Sequence, residues 1–418
     1  MLPPLPDRDS AAGLPAPFAR AQVDDLDPAF ALTPDGPVVS TDAWSGRHLA
    51  VVSGGRWRRL TSGDDWHRAP RWTGALEHFS GGPDDEPDVP ARDDPVASVV
   101  RRGWVRRVAL NGVVADLPPI VELGPWLSAA TLVVVRERWP ARLPFAWDTG
   151  TGLLRPLLGG GVASGFQRAG SVVAFTWTAG GRPRRLELDF FVRCETTARP
   201  VVVRGPVCPL PCLVHDVPAP RGTVVLLHGG PNGVHLDTWS PLVDSLVLAG
   251  WRVVRPNVRG SGLLDETLRP PRPARYGVED AEDVRAVIRE LAVGPVVVGG
   301  TSYGGYLAVR TAALSESVRA VFLLGGFTAA DDLSDTTHPA VKAFLSAATL
   351  APDTPLPPVP HFVAHGRDDP RIPFDAVASH PYPAGSVFVA FDGGHGVRTD
   401  AAARTVFPAL FTWLDTWS

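Results

Sequence analysis

Lysine is almost missing from this sequence: of 418 residues only Lys342 is one, so nearly all positive charge is arginine. That scarcity removes several chemistries. A P-loop needs lysine between glycine and serine or threonine, and Lys342 lies between Val341 and Ala343. A kinase needs lysine on a valine-rich strand, whereas His338-Pro339-Ala340-Val341-Lys342-Ala343-Phe344 reads as helical. Nothing around Lys342 supports a Schiff base. Cysteine is scarce too, with Cys194, Cys208 and Cys212 alone. An odd, sparse set argues against a disulfide framework. Cys208 and Cys212 lack the second ligand pair that zinc needs, so they read as structural thiols. Charge of one sign is missing as well: 40 basic residues face 44 acidic ones, for a net charge of −4. No basic field exists for nucleic acid or an anionic membrane. No apolar run approaches the roughly 18 residues of a spanning helix. The chain also starts without a basic-then-apolar leader pattern, so the expected location is cytoplasmic.

What is present is ordinary globular material, 44% hydrophobic and 20% charged. The length suits two domains. From about residue 223 short apolar runs alternate with helical patterns. Strands are predicted at Thr223–Leu227, Trp251–Arg255, Val296–Val298, Val318–Leu324, His361–Ala364 and Val387–Phe391. Helices are predicted at Pro241–Ala249, Glu279–Leu291, Gly304–Leu314 and Asp400–Leu414. That alternation implies an α/β fold with a mostly parallel sheet covered on both faces. The first 205 or so residues instead carry short β-type runs broken by proline and glycine. Trp57-Arg58-Arg59-Leu60, Trp104-Val105-Arg106-Arg107-Val108 and Leu154-Arg155-Pro156-Leu157 resemble one another, with Arg184-Arg185-Leu186 as a fourth candidate. The first three recur at spacings of 48 and 49 positions. Such periods suggest propeller blades, with an irregular β domain as the other reading. Prolines 206, 209, 211, 218 and 220 place the boundary between 1–205 and 206–418.

One motif dominates the second half. Gly300-Thr301-Ser302-Tyr303-Gly304-Gly305 fits Gly-x-Ser-x-Gly, follows a strand and opens a helix. The glycines let Ser302 sit on a tight, strained turn as a nucleophile. Upstream, strand 223–227 runs into His228-Gly229-Gly230-Pro231. A loop of this kind supplies one oxyanion donor and the N–H after the nucleophile supplies the other, here Gly230 and Tyr303. His228 reads as a structural histidine. The fold orders its triad as serine, acid, histidine. Asp368 and Asp369 follow strand 361–364 and compete for the acid. His395, between Gly394 and Gly396 after the next strand, is the general base. His338, His361, His365 and His380 read as surface or packing residues. The Asp84-Asp85-Glu86 run reads as a solvated loop.

Taken in order, the motifs resemble the prolyl oligopeptidase family of serine peptidases, especially its acylaminoacyl-peptidase-like branch. They are His228-Gly229-Gly230-Pro231, Arg255-Pro256-Asn257-Val258-Arg259-Gly260-Ser261-Gly262, Tyr276-Gly277 before Glu282-Asp283-Val284-Arg285, Gly300–Gly305, Gly366-x-x-Asp369-x-x-Ile372-Pro373 and Gly394-His395-Gly396. The resemblance implies an α/β-hydrolase catalytic domain and a β-propeller cap before it. It selects Asp369 over Asp368. Two departures stand out. Val258 replaces the aromatic residue common in that motif. A seven-bladed cap at about 42 residues per blade needs roughly 300 residues, and only about 205 precede the boundary. The cap is therefore expected to be a shortened or degenerate propeller, or another β fold.

The expected function is hydrolysis of amide bonds in small peptides or acylated amino acids, without metal or organic cofactor. An esterase, lactonase or acyl-transferring cyclase is the alternative, since fold does not fix function. A binding module on a dead hydrolase is the third reading. Candidate pocket walls lie in 327–347 and in the N-terminal half. A homodimer is an expectation from the resemblance.

Overall fold

The computed structural model describes residues 26–33, 36–41, 48–53, 56–61, 66–72, 76–81, 97–102, 105–169, 172–188, 198–397 and 400–417. Trp104, the acidic run at 84–86 and Cys194 lie outside them.

Among its described residues the first half is antiparallel β, apart from one parallel bridge. Strands β1 (Leu26–Thr33), β2 (Gly36–Thr41), β3 (His48–Ser53) and β4 (Arg56–Arg59) form a four-stranded meander, the arrangement of a propeller blade. Strands β5 (Trp66–Trp72) and β6 (Leu76–Gly81) make a hairpin. Strands β7 (Ala97–Arg102), β8 (Val105–Leu110) and β9 (Val113–Val114) make a three-stranded sheet. Asn111 and Gly112, both at positive φ, turn β8 into β9, as a two-residue hairpin demands. The last sheet holds β10 (Glu122–Ser128), β11 (Thr131–Arg138), β12 (Ala141–Asp148), β13 (Leu154–Pro156), β14 (Val162–Ala169), β15 (Val172–Ala179) and β16 (Arg182–Leu188). The four repeat-like segments fall on β4, β8, β13 and β16. Among the described residues the sheets that carry them differ in size.

The second half is an eight-stranded sheet in the order β17-β18-β20-β19-β21-β22-β23-β24. Its strands are β17 (Arg199–Arg204), β18 (Pro209–His215), β19 (Thr223–Leu227), β20 (Arg252–Pro256), β21 (Val296–Thr301), β22 (Val318–Leu324), β23 (His361–Gly366) and β24 (Val387–Phe391). The last six run parallel, and β18 is antiparallel to both of its neighbours. Helices α1 (Pro241–Leu248), α2 (Glu279–Leu291), α3 (Tyr303–Leu314), α4 (Pro339–Ala347), α5 (Phe374–Ala378) and α6 (Asp400–Leu414) connect or follow them. Two apolar cores cover the two faces. Val225 and Leu227 of β19 point to the α2 and α3 side, Val224 and Leu226 to the α1 and α6 side. A parallel strand buried on both faces needs such an unbroken apolar run.

The expected boundary at 205/206 falls inside a hairpin. Residues 199–204 pair with 209–215 and so belong to the eight-stranded sheet. Prolines 209 and 211, read as linker breakers, are two apart and withhold N–H groups on one side of β18 only. Cys212 is buried in β18 and Cys208 sits in the turn before it, both free thiols. No helix among the described residues is long and apolar enough to cross a membrane.

The turn between β11 and β12 docks on the second half. The buried carboxylate of Glu137 accepts from the backbone N–H of Leu264 at 2.6 Å and pairs with Arg142 at 3.0 Å. The Trp139 indole N–H donates to the His235 carbonyl at 3.0 Å, and the Asp237 N–H donates to the Pro140 carbonyl at 2.8 Å. Nearby, Gly180 N–H donates to Asp237 and Trp239 N–H to Thr178. Truncating Glu137 to alanine strands a buried N–H and an arginine, so Glu137→Ala is expected to lose about 1–3 kcal/mol of stability. Glu137→Gln, which keeps an acceptor, loses less. Urea denaturation of the three proteins checks this; equal midpoints would contradict it.

Candidate active site

Ser302 stands between the end of β21 and the start of α3, with φ +55° and ψ −122°. A non-glycine residue at positive φ is strained, and the surroundings hold it there. The flanking glycines explain how. A Cβ on Gly300 or on Gly304 would lie 2.4 Å from the carbonyl oxygen of Leu227. The elbow is thus pressed against the end of β19, and neither position has room for a side chain. Ser302 N–H donates to the Leu324 carbonyl at 3.3 Å, which ties the elbow to β22 as well.

The His228–Pro231 loop lies directly against Ser302: a Cβ on Gly229 would be 3.4 Å from the Cβ of Ser302. Gly230 has φ +131°, and a Cβ there would meet the nitrogens of Asn232 and Gly233 at 2.3 and 2.5 Å. His228 shapes this loop. Its Nδ1–H donates to the Gly229 carbonyl at 2.9 Å, and its Nε2 accepts from the Ser261 hydroxyl at 2.7 Å. Burial pushes its pKa down to about 4, so it is neutral at ordinary pH, as this pair of bonds requires.

The third arm comes from β23 and β24. His395 Nδ1 is 2.8 Å from Asp369 Oδ2. A carboxylate only accepts, so Nδ1 carries a proton in this bond. Asp369 Oδ1 also accepts from the N–H groups of Arg371 at 2.8 Å and Ile372 at 3.0 Å. Burial alone would raise this carboxyl. The bond and charge of His395, the Ile372 N–H and His365 outweigh burial and hold it below the usual carboxylate range. Glycine again permits the approach: a Cβ on Gly366 would lie 2.2 Å from the Gly394 carbonyl oxygen. A Cβ on Gly325, just past β22, would lie 2.8 Å from the Gly396 nitrogen. Ser302, Gly230, Tyr303, Asp369 and His395 therefore gather at the C-terminal ends of β19, β21, β22, β23 and β24. The competing Asp368 is exposed, and only its backbone N–H bonds inward, to Gly393.

Sequence reading missed three supports. His365, expected to be a surface or packing residue, is fully buried with Nε2 3.1 Å from the Ile372 carbonyl and 3.4 Å from Asp369 Oδ2. Its place four residues before Asp369 at a strand end was the available signal. His380 pairs with Asp332 at 2.7 Å. Asn257 clamps His235 through both backbone groups, at 2.7 and 3.0 Å, and Arg259 forks onto Asp283 at 2.9 and 2.8 Å. Val258, between them, is a core residue. The motif 255–262 is thus a brace for the loop that carries Gly229 and Gly230.

A family described as alpha/beta hydrolase fold matches residues 222–370. These residues form an α/β-hydrolase domain. The match contains Ser302 and Asp369 and stops short of His395. A curated relative, Acylamino-acid-releasing enzyme 1 of Oryza sativa subsp. japonica, is 34% identical over 98 residues, 22% of this chain and 13% of that protein. Only a small part of that relative is therefore spanned. Among solved structures, the acylaminoacyl peptidase of Pyrococcus horikoshii aligns at TM-score 0.59 and 14% identity, over 91% of this chain and 69% of the other. A puromycin-hydrolyzing peptidase of Mycobacterium tuberculosis aligns at TM-score 0.58 and 17% identity, over 95% and 70%. The resemblance to the prolyl oligopeptidase family read from the motifs is borne out, as is the pairing of a β-rich region with an α/β-hydrolase domain.

Buried histidines make the fold acid-sensitive. Burial holds His215, His228 and His361 down at about 4 and pushes His235 well below its ordinary value. Their unfolded pKa is about 6.5, so between pH 6.5 and 4 the unfolded chain binds protons that the folded chain refuses. Each then removes up to about 1.4 kcal/mol per pH unit as pH falls. Asp280, raised to about 6 by burial, opposes them. Stability measured by urea denaturation is expected to be lower at pH 5 than at pH 7.5. Equal or greater stability at pH 5 would contradict neutral burial.

Proposed function

We propose that this chain is a serine hydrolase that cleaves amide bonds of small peptides or acylated amino acids through an acyl-enzyme. The observation that carries the reading is the strained Ser302 elbow at the same sheet edge as the His395–Asp369 hydrogen bond. Ser302 Oγ attacks the scissile carbonyl carbon while His395 Nε2 takes its proton. Asp369 holds His395 in the tautomer that leaves Nε2 free and stabilises the imidazolium that forms. The backbone N–H groups of Gly230 and Tyr303 face the oxyanion, and the start of α3 favours its charge. His395 then gives the proton to the leaving amine, and water repeats the sequence on the acyl-enzyme. Acylaminoacyl and puromycin-hydrolyzing peptidases among the similar proteins support amides as the substrate class.

The test pairs an amide and an ester of the same acyl group, on unblocked and N-acylated amino acids. Wild type is expected to cleave the amide. Ser302→Ala is expected to lose turnover and covalent labelling by an organophosphonate while keeping its circular dichroism. Asp369→Asn is expected to lower kcat by about 10⁴. Turnover by Ser302→Ala would overturn the scheme. Ester cleavage alone would move the chain to esterase or acyl-transfer chemistry.

A further inference from the structure

Tyrosine is rare in this chain, four residues in all, yet three of them meet beneath the nucleophile. Tyr303 has its ring centroid 6.0 Å from that of Tyr276 and 5.6 Å from that of Tyr306. Phe327 and Phe344 close the cluster at 6.4 and 6.2 Å from Tyr303. Against these rings sits a carboxylate with no solvent exposure, Asp280, in the first turn of α2. A carboxylate so placed is costly unless it is paired. Asp280 Oδ1 accepts from the backbone N–H of Gly277 at 2.7 Å and of Ala281 at 3.1 Å. Its Oδ2 accepts from the Tyr303 hydroxyl at 2.5 Å. The Gly277 turn is itself pressed on α3: φ is +82°, and a Cβ there would lie 2.4 Å from the Tyr306 hydroxyl oxygen.

The direction of this arrangement matters. Tyr303 follows Ser302 immediately and is the first residue of α3. Its ring runs from the elbow down to Asp280, and its hydroxyl bond joins the starts of α2 and α3. Holding the far end of the ring limits how the backbone at its near end can tilt. A shape-filling role would be met by phenylalanine over an apolar partner, which carries no buried charge to satisfy. Packing alone therefore does not account for the pair.

We propose that Asp280 is a positioning residue for the hydrolysis: through the Tyr303 hydroxyl it fixes the backbone N–H of Tyr303 where the oxyanion develops. This rests on the serine-hydrolase reading. Removing a whole oxyanion donor costs a hundred- to a thousand-fold in rate, so misplacing one by loss of its anchor is expected to cost about tenfold. Asp280 acts on the transition state and not on ground-state binding, so the loss belongs to kcat and not to KM.

The experiment is a double-mutant cycle on the full chain, with Asp280→Asn, Tyr303→Phe and the double variant, using whichever substrate wild type turns over in a Ser302-dependent way. Each single variant is expected to lower kcat about tenfold with KM within about twofold. The double variant is expected to be no worse than the worse single, because both remove one interaction. A peptide boronate, which forms a tetrahedral adduct on serine, is expected to lose affinity in the same ratio as kcat. If Asp280→Asn does not fold, Tyr303→Phe alone carries the kcat and boronate tests. Wild-type kcat and boronate affinity in folded variants, with only the melting temperature lowered, would overturn the proposal. Wild-type turnover that survives Ser302→Ala would instead overturn the hydrolase reading beneath it.

Discussion

The carbonyl oxygen of Leu227 is the point on which the site is built. It ends β19, and both glycines of the elbow come so close to it that a methyl group at either would sit 2.4 Å away. Three elements are locked by that single contact: the strand that leads into the Gly229–Gly230 loop, the strand that leads into Ser302, and the helix that starts at Tyr303. Ser302 stays at positive φ because relaxing it would move α3 into β19. The strain is local, and the support is spread over the middle of the sheet.

The remaining arms obey the same rule of backbone meeting backbone. Gly366 lets the His395 loop close over the Asp369 turn, and Gly325 lets it close over β22. Around these contacts several buried polar groups find specific partners. His228 takes the tautomer that satisfies both Gly229 and Ser261, and Arg259 is forked onto Asp283. Asp369 receives two backbone N–H groups besides His395. Low dielectric strengthens such bonds and makes each unanswered group costly, so the site is rigid before a substrate arrives.

Much of this was legible in the residues, and the reason is periodicity. Strands 223–227, 318–324 and 387–391 and helices 279–291 and 400–414 have the bounds that their apolar spacing predicts. A strand buried on both faces or an amphipathic helix writes its ends plainly. The β17–β18 hairpin did not, because its prolines obey pairing geometry that appears only when the neighbours are known. His365 was passed over for a similar reason: its partner, Asp369, is brought to it by a turn and not by a helix or strand repeat. The first half was read as β-rich correctly, but its sheet sizes depend on which strands pair, and short antiparallel runs do not encode that.

The Glu137 carboxylate has a mechanical consequence. It holds the backbone of the loop after Gly262, and Gly262 N–H in turn donates to the Gly233 carbonyl, just past Gly229 and Gly230. Among the described residues, the two halves of the molecule are therefore pinned at one corner, next to the Gly229–Gly233 loop. A separation of the halves that left this corner intact would be a rotation about it, widest at the opposite rim.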